Sequence, residues 1–265
     1  MKNSTKRALF FDIDGTLVSF NTHKVPESTV EALRKAKSNG NFIFISTGRP
    51  YVIINNLKEL QDAGLIDGYV TMNGAYCFIG EKVLFKSAIP HSEVELMAEI
   101  AEREGYPSIF VSENSMKVCI PDEEVRHIFY DFLHIDKMPE TTFSEAIKSE
   151  IYQMTVFFKE DVELEISQQL PSCEFNRWYP TFVDLTAKGN TKAHGIRVMA
   201  EYCGVAMKDT VAFGDGGNDI PMLIEAGIGV AMGNASGNVK NVADYVTTSV
   251  DEDGIQNALI GLGII

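Results

Sequence analysis

Four short stretches of this 265-residue chain combine residue types that do chemistry together. The first is Phe10-Phe11-Asp12-Ile13-Asp14-Gly15-Thr16-Leu17. Two carboxylates stand two residues apart, where an apolar run stops and a glycine turn begins. Acids this close repel unless a cation or a proton intervenes. An EF-hand is excluded, because its glycine is the sixth loop residue, whereas Gly15 is the fourth from Asp12. The second stretch, Ser46-Thr47-Gly48-Arg49-Pro50, offers a hydroxyl and a free glycine amide, groups that can hold phosphate oxygens. The third, Gly214-Asp215-Gly216-Gly217-Asn218-Asp219, adds further acids among glycines that let the backbone approach a ligand closely. Carboxylates without a His/Cys cluster suit a hard cation with oxygen ligands, which points to Mg²⁺. The fourth, Lys188-Gly189-Asn190-Thr191-Lys192-Ala193-His194, places lysines ahead of a helix whose apolar face includes Ile196 and Met199. Taken singly, each stretch has an ordinary explanation: a turn, a helix start, a flexible loop, a solvated lysine. A nucleotide site fits poorly. There is no GxxxxGK[ST], and Gly227-Ile228-Gly229 is followed by Gly233, one residue too late for GxGxxG.

The elements around these stretches put three of them at strand ends. Ala8–Asp12, Phe42–Ser46 and Tyr69–Met72 are short apolar runs that predict buried strands. Between them, Pro26 to Asn39 carries Val30, Leu33 and Ala36 at helical spacing with Gly40 as a stop, and Pro50 opens a helix with Ile53, Leu57 and Leu60 on one face. The last third repeats the alternation. Helices are predicted from Lys192 to Cys203, Asn218 to Glu225, Ser236 to Val242 and Ile255 to Leu262. Strands are predicted at Thr210–Phe213, Ile228–Ala231 and Tyr245–Thr248. Alternating strands and helices predict an α/β core, a doubly wound parallel sheet of Rossmann-like kind. In such sheets ligands bind just beyond the carboxyl ends of the strands. The middle differs. Hairpins are predicted at Gly80-Glu81, Ser112–Met116 and Tyr179-Pro180, with a strand at Ile151–Phe158. Helices fall at His91–Glu104, Glu123–Leu133 and Val162–Leu170. This is an inserted α+β unit over residues 86–185. It interrupts a core made of residues 1–85 and 186–265.

Composition sets the outer limits. A hydrophobic content of 45% supports a globular chain with a real core. The formal net charge of −14 lacks the basic footprint that nucleic acid demands. No run approaches the ~18 apolar residues of a membrane span, and the apolar start Ala8–Phe11 is too short for a signal peptide. Cys77, Cys119, Cys173 and Cys203 form no CxxC pair and read as buried thiols of a reducing compartment. A cytoplasmic location is expected, where the sequons at Asn3 and Asn234 carry no weight.

Taken together, Asp12–Thr16, Thr47 at a strand end, a lysine, and Gly214-Asp215-Gly216-Gly217-Asn218-Asp219-Ile220-Pro221-Met222 resemble the haloacid dehalogenase superfamily. The resemblance spans nearly the whole chain, and the insert looks like the large α/β cap of its Cof-like (type IIB) branch. The family's usual Lys-Gly pair occurs here as Lys188-Gly189. The family lysine also opens a helix with apolar residues at +4 and +7, which selects Lys192, with Ile196 and Met199, over Lys188. The resemblance implies a Mg²⁺-dependent phosphatase for small phosphomonoesters, sugar phosphates above all. Asp12 is then the nucleophile that forms an aspartyl phosphate. Asp14 is the acid–base and a metal ligand through its carbonyl, and Asp12 and Asp215 are the other metal ligands. Ile13, Thr47, Gly48, Lys192 and Asn218 hold phosphate, and Asp219 and Arg49 support them. Glu174, Arg177, Trp178, Tyr179 and Asp184 are candidates for substrate contact, with a structural role the simpler expectation for each. No protein, nucleic-acid or membrane partner is implied. Two alternatives stay open: a phosphomutase, which the resemblance also allows because phosphomannomutases share this branch, and a phospho-accepting signalling domain.

Overall fold

The structure, a computed structural model, describes residues 6–133 and 135–265. The Asn3 sequon lies outside these residues, as does the side chain of Trp178. In chain order the strands are β1 (Ala8–Phe11), β2 (Phe42–Ser46), β3 (Gly68–Thr71), β4 (Tyr76–Ile79), β5 (Lys82–Lys86), β6 (Ser108–Val111), β7 (Met116–Cys119), β8 (Gln153–Val156), β9 (Cys173–Tyr179), β10 (Phe182–Ala187), β11 (Thr210–Gly214), β12 (Ile228–Ala231) and β13 (Tyr245–Val246). The chain divides into two compact units. One comprises the residues up to Gly48, Asn56–Lys86 and Thr191–Ile265; the other comprises Arg49–Asn55 and Ser87–Asn190. The second unit extends to Asn190 because β10 continues to Ala187.

The first unit is an eight-stranded sheet in the order β13-β12-β11-β1-β2-β3-β4-β5. From β13 to β3 all pairs are parallel, and β4 and β5 extend the edge as an antiparallel hairpin. The strand order runs outward in both directions from β1 and β11, which makes their carboxyl ends the switch point where a doubly wound sheet opens a crevice. Alternate residues face opposite sides of a strand. On one side Phe10, Phe44 and Val70 pack with Ile196 and Met199 of helix Lys192–Tyr202 and with Met222 and Leu223 of helix Ile220–Glu225. The other parity, Leu9, Phe11, Ile43 and Ile45, is equally buried, and helices Glu27–Ser38 and Gly254–Gly261 pack together in this unit. Phe11 stacks on Phe213 across the switch point, with ring centroids 4.6 Å apart.

One predicted helix does not form as expected. After Pro50 the chain makes a single 3₁₀ turn, Tyr51–Ile53, and resumes as a short helix only at Lys58–Asp62. Ile53, Leu57 and Leu60 are buried as the spacing implied. The intervening Val52-Ile53-Ile54-Asn55-Asn56 joins stiff β-branched side chains to asparagines that compete for backbone hydrogen bonds, a poor helix interior.

The second unit is a five-stranded sheet in the order β7-β6-β8-β10-β9, with all its pairs antiparallel. One face packs Phe110, Met154, Val156, Val183 and Leu185 against helix His91–Glu104 through Val94, Met97 and Ala101. The other face places Gln153, Thr155, Asp184 and Thr186 side by side, all buried. The predicted helix Glu123–Leu133 is a short α-turn, Glu123–Val125, followed by a wider π-turn, Arg126–Phe132. Its Phe129 reaches Phe157 and Phe182 with centroids about 6 Å apart. Among the described residues no helix is long and apolar enough to cross a membrane.

Helix Lys192–Tyr202 approaches the sheet closely at Gly195, where a Cβ would fall inside contact distance of Val70 Cγ1. Alanine gains about 1 kcal/mol of helix propensity over glycine. Overpacking a stiff core valine costs about 1–3 kcal/mol. Gly195→Ala is therefore expected to lower the Tm by a few degrees, and adding Val70→Ala to recover part of the loss. A Gly195→Ala protein as stable as the parent would show that the contact is not limiting.

Candidate active site

Three carboxyl ends of parallel strands meet at the switch point. β1 ends into Asp12, β2 into Thr47 and β11 into Asp215. Asp12 is tied to the neighbouring strand by its own amide, which donates to Phe213 O at 3.0 Å. The chain then turns sharply at Gly15, whose φ of +85° is in the left-handed region and where a Cβ would collide with Asp215 Oδ2. Glycine is required there on both counts. The turn swings Thr16 round so that its hydroxyl donates to Asp215 Oδ1 at 2.7 Å.

Lys192 lies between the acids. It is the first residue of its helix, which is capped by Thr191, whose side chain accepts from the His194 amide at 3.1 Å. The ammonium donates to Asp12 Oδ1 and to Asp219 Oδ1, both at 2.5 Å. Its side chain is fully buried, 0% exposed, a position tolerable for a charge only with partners of opposite sign. Lys188, the other candidate lysine, is exposed in the second unit. Asp219 is also wholly buried, and its second oxygen accepts from the amides of Asp215 and Gly216 at 2.9 Å each.

Burial raises the pKa of Asp12 well above the usual carboxylate range. Lys192 pulls it down, while Asp219, Asp215 and Asp14 push it further up. Burial opposes the charge on Lys192, but Asp12 and Asp219 more than offset this and hold it above an ordinary lysine, so it stays protonated. Asp215 is pushed up to about 7, by burial first and by Asp219 and Asp14 after it. The Thr16 hydrogen bond and Lys192 oppose that rise.

Asp12, Asp215 and Asp219 each bring a carboxylate oxygen within 4.8 Å of the others. The donor set is hard oxygen, and four acids, counting Asp14, stand against the Lys192 ammonium, so the residues fit a divalent cation such as Mg²⁺. Both oxygens of Asp219 are already engaged by Lys192 and two amides. Asp12 and Asp215 are the carboxylates left to hold an ion, with Asp219 fixing their surroundings. The Asp14 carboxylate is not among the three clustered acids; Asp14 is half-buried and bridges to Val18.

Of the residues expected to hold phosphate, Thr47 and Ile13 are buried, and Asn218 donates from Nδ2 to Asn73 Oδ1 at 3.2 Å. Arg49 groups with the second unit, where its Nη1 donates to Ile53 O at 3.4 Å. Arg177 clamps its own hairpin. Its Nε donates to Glu163 Oε2 at 2.6 Å, and its Nη1 to the carbonyls of Phe158, Pro180 and Phe182 at 3.1 Å each. Asp184 accepts from the Thr155 hydroxyl. Two residues were not anticipated. Asn234, beyond β12, donates from Nδ2 to Gly15 O at 2.8 Å and lies 3.4 Å from Asp215 Oδ2, while its Oδ1 accepts from Val250 N. Asn73, beyond β3, is the other. Both follow the carboxyl end of a predicted parallel strand, where ligands bind in such sheets, but that position alone does not separate them from solvated loop residues.

A cation on Asp215 displaces a proton below the pKa of about 7. The raised folded-state pKa means that Asp215 stabilises the ion-free protein below the unfolded value near 4, and that this contribution is lost as pH rises through about 7. If a divalent cation such as Mg²⁺ binds there, the Tm difference with and without the ion should therefore grow from pH 5 to pH 7 and then level off. A difference independent of pH would contradict the assignment of Asp215.

The chain is similar to known proteins along almost its whole length. Residues 9–259 match the model of the haloacid dehalogenase-like hydrolase family. YkrA of Bacillus subtilis strain 168, provisionally named a phosphatase, is 32% identical over 98% of both chains. The 5-amino-6-(5-phospho-D-ribitylamino)uracil phosphatase YcsE of the same organism is 28% identical over 96% of this chain and 94% of its own. Among solved structures, the subclass IIB sugar phosphatase BT4131 superposes with a TM-score of 0.94 at 57% identity, covering 98% of this chain and all of that one. BT1666 of Bacteroides thetaiotaomicron, a phosphatase of the same superfamily, superposes with a TM-score of 0.88 at 37% identity, covering 98% and 96%. An acid-rich crevice at the switch point of a doubly wound sheet, with family similarity along almost the whole chain, makes this protein a member of the haloacid dehalogenase-like hydrolases, a phosphatase of their Cof-like, subclass IIB branch.

Proposed function

We propose that the chain hydrolyses small sugar phosphates with the help of Mg²⁺, through a phosphoryl group carried transiently on Asp12. The observation that carries this reading is the Asp12 carboxylate at the end of β1, held by a buried ammonium and crowded by other acids. A carboxylate so placed is aimed and kept from wandering, as a nucleophile needs. The sugar-phosphate class is supported by the likeness to BT4131, which is named a sugar phosphatase.

In this mechanism an Asp12 oxygen attacks phosphorus, and the bond from phosphorus to the alcohol oxygen breaks. The Asp14 carboxyl gives its proton to the departing alcohol. Asp14 then takes a proton from water, the water oxygen attacks phosphorus, and the bond to Asp12 breaks, releasing inorganic phosphate and restoring the carboxylate. Lys192 keeps Asp12 oriented and adds positive charge beside the anionic phosphoryl group. Thr47, the amides of Ile13 and Gly48, and Asn218 hold the phosphate oxygens. When bound by Asp12, Asp215 and the Asp14 carbonyl, Mg²⁺ supplies positive charge that offsets the repulsion between carboxylate and phosphate. The second unit, with its buried polar row of Gln153, Thr155, Asp184 and Thr186, acts as the cap that reads the remainder of the substrate. A cytoplasmic setting, where such metabolites occur, fits this role.

Asp12→Asn is expected to abolish turnover and phosphorylation from labelled substrate while the protein stays folded. It removes the nucleophile and one of several mutually repelling acids. Retained turnover in that variant would remove Asp12 from the mechanism, and full activity in excess chelator would remove the metal.

Asp14→Asn separates proton transfer from metal binding through the main chain. A positioned acid or base is worth about 10²–10⁴-fold, and a sugar alkoxide leaves badly without a proton whereas nitrophenolate leaves readily. The variant should therefore lose most on the sugar phosphate. With p-nitrophenyl phosphate it should release close to one equivalent of nitrophenol per site in a burst, then turn over slowly, because water still needs activation. Equal losses on both substrates with no burst would refute the two-step role of Asp14.

A further inference from the structure

The chain leaves β3 through Met72, Asn73 and Gly74, all with positive φ, at 50°, 52° and 94°. Glycine adopts this region freely and asparagine tolerates it, but a methionine there is an outlier. All three residues are buried. Left-handed backbone in such residues persists only where the surroundings impose it, and it concentrates at functional sites. The contacts of Asn73 show what is gained. Its amide N–H donates to Thr47 O at 3.1 Å, and its side-chain Oδ1 accepts from Asn218 Nδ2 at 3.2 Å. A Cβ on Gly48 would stand 3.3 Å from that Oδ1 and 3.4 Å from Nδ2, so the side-chain amide lies against the Gly48 backbone. One residue therefore touches Thr47, Gly48 and Asn218, and Asn218 is 145 positions away along the chain.

We propose that Asn73 is a positioning residue for the phosphate group: it holds the Asn218 amide and the Thr47–Gly48 turn at the mutual spacing that one phosphate spans. This rests on the reading that Thr47, Gly48 and Asn218 are the phosphate-holding groups. A primary amide carries two N–H donors. Asn73 takes one of those on Asn218 Nδ2, which fixes the amide plane and leaves the second N–H directed by the first. Donors set in place before the ligand arrives lose little freedom when it binds. The left-handed backbone is what lets one residue do this, since its main-chain N–H reaches Thr47 while its side chain reaches Asn218. Glycine would satisfy the backbone but would leave Asn218 unheld.

The test is a double-mutant cycle of Asn73→Gly and Asn218→Ala, measured as the inhibition constant of inorganic phosphate, the KM and kcat for a phosphomonoester, the Tm, and Mg²⁺ binding by calorimetry. Asn73→Gly keeps the positive φ, so fold and Mg²⁺ affinity should be unchanged. The phosphate inhibition constant and the KM should each rise about tenfold, the scale of one hydrogen bond to a charged group, with kcat moving far less. The double variant should bind phosphate no more weakly than Asn218→Ala alone. If Asn218→Ala weakens phosphate binding but Asn73→Gly does not, or if the two losses multiply, the role of Asn73 is overturned and the phosphate site stands. If Asn218→Ala itself leaves phosphate binding unchanged, the underlying site reading fails and the proposal falls with it. Should Asn73→Gly not fold, Asn73→Asp tolerates the same backbone but puts a carboxylate against Gly48. It should raise the phosphate inhibition constant at least as much, and an unchanged constant would overturn the proposal.

Discussion

A lysine ammonium with no exposed surface, gripped by one carboxylate from the loop after β1 and another from the loop after β11, sets the terms for everything around it. Burying a charge costs several kcal/mol, and the cost is repaid only when partners sit at hydrogen-bonding distance with their other lone pairs satisfied. The fold meets that demand in layers. Asp219 accepts from Lys192 on one oxygen and from two main-chain amides on the other, so the glycine-rich loop is shaped by the acid that faces the lysine. Asp12 receives the remaining contact. The helix that begins at Lys192 is seated on the sheet by Ile196 and Met199, which fixes how far the ammonium projects. A shorter or misaligned lysine would leave two buried acids facing each other, and so the sheet, the helix and both loops are held to one register by a single cation.

Asparagines tie the outer ring of the crevice together. Asn234 reaches back to Gly15, the glycine whose left-handed turn brings Thr16 onto Asp215. Thr16 and Asn234 lie against different oxygens of Asp215, which limits its rotation. Uncharged amides and hydroxyls suit this work. They direct an acid without neutralising it, and the crevice keeps the excess negative charge that a cation is drawn to.

The parts of the design visible in sequence are those with strong local causes. Short apolar runs ending in polar loops marked β1, β2 and β11, because a strand buried on both faces has no alternation to hide in. The choice of Lys192 over Lys188 rested on the apolar residues at +4 and +7, Ile196 and Met199, which do face the sheet. The helix after Pro50 was misread because its buried positions keep helical spacing while the backbone between them does not stay helical. Asn73 and Asn234 were invisible for another reason. Each is a polar residue in a loop, and nothing local separates it from a solvated one until the sheet brings it to a partner 145 or 219 positions away. Tertiary placement, rather than residue type, gives them meaning. The polar row of the second unit was likewise hidden, because Gln153, Thr155, Asp184 and Thr186 are ordinary strand residues until β8 and β10 pair in register.

The separation of 180 residues between Asp12 and Lys192 has a bearing on how the protein comes into being. Translation delivers β1 early, yet its neighbour β11 and the lysine emerge only after the whole of Ser87–Asn190 has been made. That stretch forms a sheet from strands contiguous in sequence, so it can fold on the nascent chain while β1 waits with one side unpaired. Until residue 192 has left the ribosome, Asp12 has no ammonium to meet, and the second acid that holds that ammonium, Asp219, comes later still. Ribosome-bound chains therefore carry the acidic motif long before they carry a site, and a chain released too soon exposes the apolar β1 edge to chaperones and proteases.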